Sequence, residues 1–237
     1  MTQHTQDYDI AQIISNAPWF RDLPEDAKNT LITAARLEKH PKNSFLYAAG
    51  DIALKVHCLV EGRIRAILTS PQGQEFGLDD FKPITWVGEA MLFSDEREVL
   101  SLQFKESGKT VSLNRNIVLE VAGKHPSIYR NILKSQIQRN RGMYRLMGGM
   151  LFYPLKSRLA WRILYFLKHH SYEADGGTYL DIHFSQQDLA RLVFGSRQRV
   201  NKIFKLWSEA GVVLVRDKKY FIPDVNRLIE EANKIDD

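Results

Sequence analysis

Residues 184–211 read F-S-Q-Q-D-L-A-R-L-V-F-G-S-R-Q-R-V-N-K-I-F-K-L-W-S-E-A-G, and no other stretch limits the fold as strongly. Ser185 stands where it can cap a helix, and Asp188, three residues on, can complete a capping box. Leu189, Leu192 and Val193 follow at helical spacing. Gly195 then offers a permissive turn and Ser196 a second N-cap. In the next helix Val200, Ile203, Phe204 and Trp207 fall at i, i+3, i+4 and i+7, a single apolar stripe. The opposite face carries Arg197, Gln198, Asn201, Lys202 and Lys205, with no carboxylate before Glu209. One charged helix face is ordinarily only a solvated face. Two caps, a glycine turn and a front of cations and amides within 28 residues ask for more. A helix anchored behind and fronted in this way is what major-groove readout requires. The sequence predicts a helix-turn-helix that binds double-stranded DNA through helix 196–209.

The charge balance agrees. Residues 1–125 hold 14 Lys+Arg against 17 Asp+Glu, whereas residues 126–237 hold 19 against 11. The chain's net charge of +5 therefore conceals an acidic front half and a strongly basic back half, the footprint of a nucleic-acid module joined to something else. A single cysteine, Cys58, excludes an internal disulfide and any all-cysteine metal or iron–sulfur site within one chain. The start is polar and acidic without an apolar signal core, and no apolar run approaches the ~20 residues of a membrane span. A cytoplasmic location, away from membranes, follows as the expectation.

The texture of the chain changes along its length. Residues 1–10 suggest weak structure, and residues 10–37 contain two short helical patterns, the second started by Asp22 or Pro24. From Phe45 short apolar runs alternate with turns, which suggests a sandwich or jelly roll of about eight strands. One long helix is expected over about 127–150, with Ile128, Ile132, Ile137, Met143, Leu146, Met147 and Met150 as a stripe suited to a dimer seam or an intrachain core. Pro154 starts another helix, 155–168. A polar loop, the helix-turn-helix, two strands around residues 216–219 that read as a wing, and a short helix 224–234 complete the pattern.

A roll, a long helix and a winged helix-turn-helix, in that order, resemble the Crp–Fnr superfamily of bacterial transcription regulators. The resemblance spans most of the chain. It rests on Ser196-Arg197-Gln198-Arg199-Val200, similar to the family's S-R-x-x-V, and on Gly88-Glu89, similar to its G-E. Gly50-Asp51, Val60-Glu61-Gly62 and Arg158-Leu159-Ala160 add weaker matches. It implies an α+β fold with a cyclic-nucleotide-binding-like β-roll (residues 1–125), a dimerisation helix (126–152) and a winged helix-turn-helix (153–237). It also implies a homodimer that reads a palindromic site, and RNA polymerase as a partner if the protein activates, with loop 169–178 as the positional candidate. Carried over by position, base contacts fall on Arg197, Gln198, Asn201 and Lys202, while Arg199 and Lys205 hold phosphates. The ligand-site positions are Gly88, Glu89, Arg97, Met143 and Tyr144.

Departures from the pattern carry information too. The family commonly has Glu at the second base-reading position, here Gln198, and Gly where Phe194 stands. Cyclic-nucleotide binders place an Arg-Ser or Arg-Thr clamp about ten residues after G-E, and those places hold Val99 and Leu100. The nearest arginine, Arg97, is flanked by Glu96 and Glu98, which would partly neutralise it. Cyclic AMP is therefore not the expected effector, nor is an iron–sulfur cluster, since the N-terminal cysteines are missing. Candidate haem ligands (His57, Cys58, Met91, His125) read more simply as packing, with Cys58 a small core residue. Two other classes fit the residues less well. A cupin-type metalloenzyme needs an H-x-H pair, which residues 1–125 lack. A binding module without DNA contact is at odds with the intact basic face. No catalytic residues, no metal and no enzyme activity are expected.

Overall fold

The computed structural model describes residues 9–168, 170–182 and 184–235. Most of the segment expected to be weakly structured, and His169 of the polar loop, lie outside the described residues. The chain divides into two compact units. The first holds the residues through Gln74 together with Leu78–Asn140, and the second holds Glu75–Gly77 and the residues from Arg141 onward.

The first unit begins with α1 (Ile10–Ser15), capped by Asp9, and α2 (Glu25–Ala34), whose N-cap is Pro24. The roll then runs through β1 (Arg36–His40), β2 (Phe45–Tyr47), β3 (Lys55–Glu61), β4 (Ile64–Thr69), β5 (Glu75–Phe81), β6 (Thr85–Val87), a 3-10 turn (Ala90–Leu92), β7 (Ser101–Phe104) and β8 (Gly108–Asn114). Its strands form two four-stranded sheets, ordered β1-β8-β3-β6 and β2-β7-β4-β5. In β3 five successive residues are buried, so both faces of this strand are covered. Val56, Cys58 and Val60 pack with Trp19, Phe20, Leu31 and Trp86 in the core beneath the helices. Each such large side chain contributes roughly 2–3 kcal/mol when removed from water. Cys58 is fully buried there, and burial pushes its thiol up to about 12, as befits a small core residue. His57 points to the other face and meets the Thr110 hydroxyl at 3.3 Å. Burial pushes this imidazole down to about 4.

A helix that the sequence reading did not find, α3 (Arg115–Lys124), follows β8 directly and is capped by Asn114. Its run Ile117-Val118-Leu119 reads as strand locally, and packing of Val118, Val121 and Ala122 into the core decides otherwise. The long helix α4 (Ser127–Phe152) begins beyond His125 and Pro126, close to the expected bounds. Only its first turns are buried, at Ile128, Asn131 and Ile132.

The second unit contains α5 (Leu155–Leu167), β9 (Ser171–Ala174), β10 (Gly177–Leu180), α6 (Gln186–Leu192), α7 (Arg197–Glu209), β11 (Leu214–Arg216), β12 (Lys219–Ile222) and α8 (Val225–Asn233). The strands form one sheet in the order β11-β12-β10-β9. The polar loop expected over 169–178 is instead the β9–β10 hairpin. Asp175 and Gly176 turn it with φ of 52° and 75°, and Tyr172 stacks on Tyr179 across it at 5.3 Å. Val200, Ile203, Phe204 and Trp207 of α7 join Leu155, Leu159, Ile163, Leu189 and Leu228 in one core.

Candidate nucleic-acid interface

Helix α6 opens with the capping box read from the sequence. Ser185 Oγ accepts from the Asp188 amide at 3.0 Å while Asp188 accepts from the Ser185 amide. Ser196 caps α7 by accepting from the Arg199 amide at 3.2 Å. The turn between them corrects the role assigned to glycine. Phe194, not Gly195, takes the left-handed conformation, at φ 52°. Gly195 is needed for space, because a Cβ there would stand 2.7 Å from Leu155 Cδ1. A bulky aromatic at positive φ is uncommon and carries strain. Phe194 nonetheless remains 64% exposed.

The rear of α7 is held by three kinds of contact. Phe204 stacks on Tyr220 of β12 with ring centroids 4.9 Å apart. Trp207 packs edge-on against Phe204 and donates from Nε1 to Glu231 Oε2 of α8 at 2.9 Å. Burial raises the Glu231 carboxyl, but hydrogen bonds from Lys156, Lys234 and Trp207 outweigh it and hold the group at about 2. On the front, Arg197, Gln198, Arg199, Asn201, Lys202 and Lys205 are all exposed, as the spacing predicts. Lys205 reaches Glu209 at 4.0 Å, at the limit of an ion pair. The strands β11 and β12 form the expected wing, which turns through Asp217 and Lys218 at φ 48° and 64°. Between the wing and the starts of α6 and α7 runs a groove of about 440 Å³, lined among others by Gln186, Gln187, Arg197, Val215 and Lys218.

In the first unit, Gly88 sits at φ 92°, where a Cβ would press on the Lys55 carbonyl at 3.0 Å. The following Glu89 is buried. Its Oε1 accepts from Gln136 at 2.9 Å and also from Arg139, which in addition donates to the Trp86 carbonyl. Sequence reasoning missed Gln136 and Arg139, because amides and cations on a long helix read as a solvated face. Arg97, flanked by Glu96 and Glu98, donates to the Gly50 carbonyl at 2.7 Å. Burial first, then the charge of Glu89, raises the Glu98 carboxyl. Val99 is exposed and Leu100 half-buried, while Met143 and Tyr144 are exposed on α4. Of the haem-ligand candidates, Cys58 and Met91 belong to the helix-side core, and His125 closes the C-terminus of α3.

Residues 157–231 match the Crp-like helix-turn-helix domain, and residues 37–125 match the cyclic nucleotide-binding domain. The chain belongs to the Crp–Fnr superfamily. This Crp–Fnr protein is 21% identical over 221 residues to the CRP-like cAMP-activated global transcriptional regulator of Mycobacterium tuberculosis, covering 93% of this chain and 99% of that one. Its fold is shared with a crp/fnr-family transcriptional regulator from Eubacterium rectale (TM-score 0.75, 14% identity, 92% of this chain and 98% of that one). The c-di-GMP responsive global regulator CLP of Xanthomonas campestris is also similar (TM-score 0.74, 19% identity, 85% and 100% covered). This Crp–Fnr protein is a DNA-binding transcription regulator. Among its described residues no helix is long and apolar enough to cross a membrane.

Proposed function

We propose that this Crp–Fnr protein works in the cytoplasm as a homodimer that reads a palindromic operator with α7. One observation carries the reading: six cation and amide side chains stand exposed on a helix whose whole rear stripe is buried. Arg197, Gln198, Asn201 and Lys202 face base edges, and Arg199 and Lys205 hold phosphates. Lys202 suits guanine O6/N7, and Gln198, an amide, pairs with adenine N6/N7. Two such helices one DNA turn apart, about 34 Å, imply half-sites roughly 10–11 base pairs apart. The dimer is supported by α4. Leu133, Ile137, Tyr144, Met147 and Leu151 recur at alternating steps of four, seven, three and four residues, each at least 44% exposed in the single chain. Asn140 fills the remaining seam place, where one polar residue fixes register and partner number.

The roll supplies an effector site that does not suit cyclic AMP. Val99 and Leu100 offer neither charge nor hydrogen bond to a cyclic phosphate. Around Glu89 gather Arg139 and Gln136, which donate to it, together with Glu98 and Tyr47, whose phenol is pushed up by burial and then by both carboxylates. If the protein activates, the β9–β10 hairpin is the surface offered to RNA polymerase.

Selection from a randomised duplex pool tests the α7 assignment. A palindromic motif is expected, and Gln198→Glu should shift preference at one symmetric position by about 1–3 kcal/mol, from A towards C. An unchanged motif would remove Gln198 from the reading face, and a motif without symmetry would remove the dimer.

A further inference from the structure

Helix α5 carries two arginines one turn apart, and the fold treats them differently. Arg162 donates to the Leu192 carbonyl at 3.0 Å and so closes the C-terminal end of α6. Arg158 has no such acceptor. Its Nε is buried without a hydrogen-bond partner among the described residues. The charged group that acts on it is another cation, Arg199 of α7. Burial first, and then Arg199, weaken the hold of Arg158 on its proton.

The two helices converge at this point. Leu155, one turn before Arg158, is the side chain that Gly195 makes room for, two residues ahead of α7. The first turn of α7 contains no acidic residue, and neither does the first turn of α5. A half-buried guanidinium beside a second one, with no carboxylate to share, is an arrangement that an isolated fold has every reason to avoid. An anion with several acceptor oxygens resolves it, and a guanidinium fork fits a phosphate in particular.

We propose that Arg158 and Arg199 together clamp one phosphate of the DNA backbone, which makes Arg158 a DNA-positioning residue outside the helix-turn-helix proper. The proposal rests on the reading of α7 as the helix that meets DNA, and adds to it a contact from α5. In the free protein Arg158 Nε has no acceptor among the described residues. On the duplex its flexible stem turns the guanidinium to the phosphate and the acceptor is supplied. The contact carries no sequence information, since every nucleotide offers the same group.

The test compares the wild-type chain with Arg158→Gln and Arg158→Lys, by fluorescence anisotropy on the selected operator and on a scrambled duplex. Arg158→Gln should weaken both duplexes by a similar factor and lower the slope of log K against log salt by about 0.9, one phosphate's share. Between 50 and 200 mM salt the wild-type loss of affinity should then exceed the variant's by about 3.5-fold. Arg158→Lys should recover the slope but only part of the affinity, since it keeps the charge and loses the fork. Without DNA, Arg158→Gln should melt at or above the wild-type temperature. A wild-type slope in Arg158→Gln, a loss confined to the operator, or a lowered melting temperature or failure to fold would each overturn the clamp. A wild-type protein whose binding ignored salt would instead overturn the reading of α7, a separate result.

Discussion

Neutralising Glu231 should loosen the back of the recognition helix, and the loss should depend on pH in a defined direction. The carboxylate is buried and receives Lys156, Lys234 and the Trp207 indole. These donors hold it at about 2 against an ordinary value of 4.5. That difference corresponds to about 3 kcal/mol in favour of the ionised form in the folded protein. Because the folded value lies below the unfolded one, the stabilisation is complete above about pH 5 and is lost as pH falls from 4.5 towards 2. Glu231→Gln keeps an acceptor for Trp207 and removes only the charge. It should therefore cost about 2–3 kcal/mol at pH 7, and the gap to wild type should close as the pH falls to 3 and below. Urea unfolding at several pH values, with hydrogen exchange read on peptides of α7 and α8, measures the gap where it arises. Parallel curves for the two proteins between pH 3 and 6 would refute the argument. The ion cluster would then be a surface ornament, worth no more than an exposed pair.

Two further outcomes follow from the wing and the roll. Lys218→Gly should stabilise the protein by about 0.5–1 kcal/mol, since a lysine at φ 64° carries strain that glycine relieves. It should at the same time weaken operator and scrambled DNA alike, and thermal melts with salt-dependent binding would separate the two effects. Isothermal calorimetry should give no micromolar binding of cyclic AMP, and a signal abolished by Glu89→Ala would contradict the reading of the roll.

The parts of this fold that were legible from sequence are those in which a local pattern and the tertiary packing agree. The stripe Val200, Ile203, Phe204 and Trp207 is buried as its spacing demands, and the caps at Ser185 and Ser196 form as written. Where local and global preferences diverge, the reading fails for identifiable reasons. The segment around Ile117 looks extended until Asn114 caps it and the core claims Val118. The β9–β10 hairpin hid in a polar stretch because neither strand shows an apolar alternation, although its Asp-Gly turn was a usable signal. Gly195 was taken as a backbone device when Leu155 needs the room. Arg139 escaped notice, and Arg158 was legible only as a motif match, because a cation's partner, or its lack of one, is a long-range property that spacing does not encode.

The exposed front of α7 has an evolutionary consequence. Among the described residues, the side chains of Arg197, Gln198, Asn201 and Lys202 make no hydrogen bond or ion pair within the chain. Stability resides behind them, in Phe204, Tyr220, Trp207 and Glu231. Substitutions at those four positions can therefore drift without threatening the fold, and on the base contacts proposed above each one would edit the operator alone. A duplicated copy of this chain could acquire a new set of target promoters in a few steps, while its scaffold stayed untouched by the change.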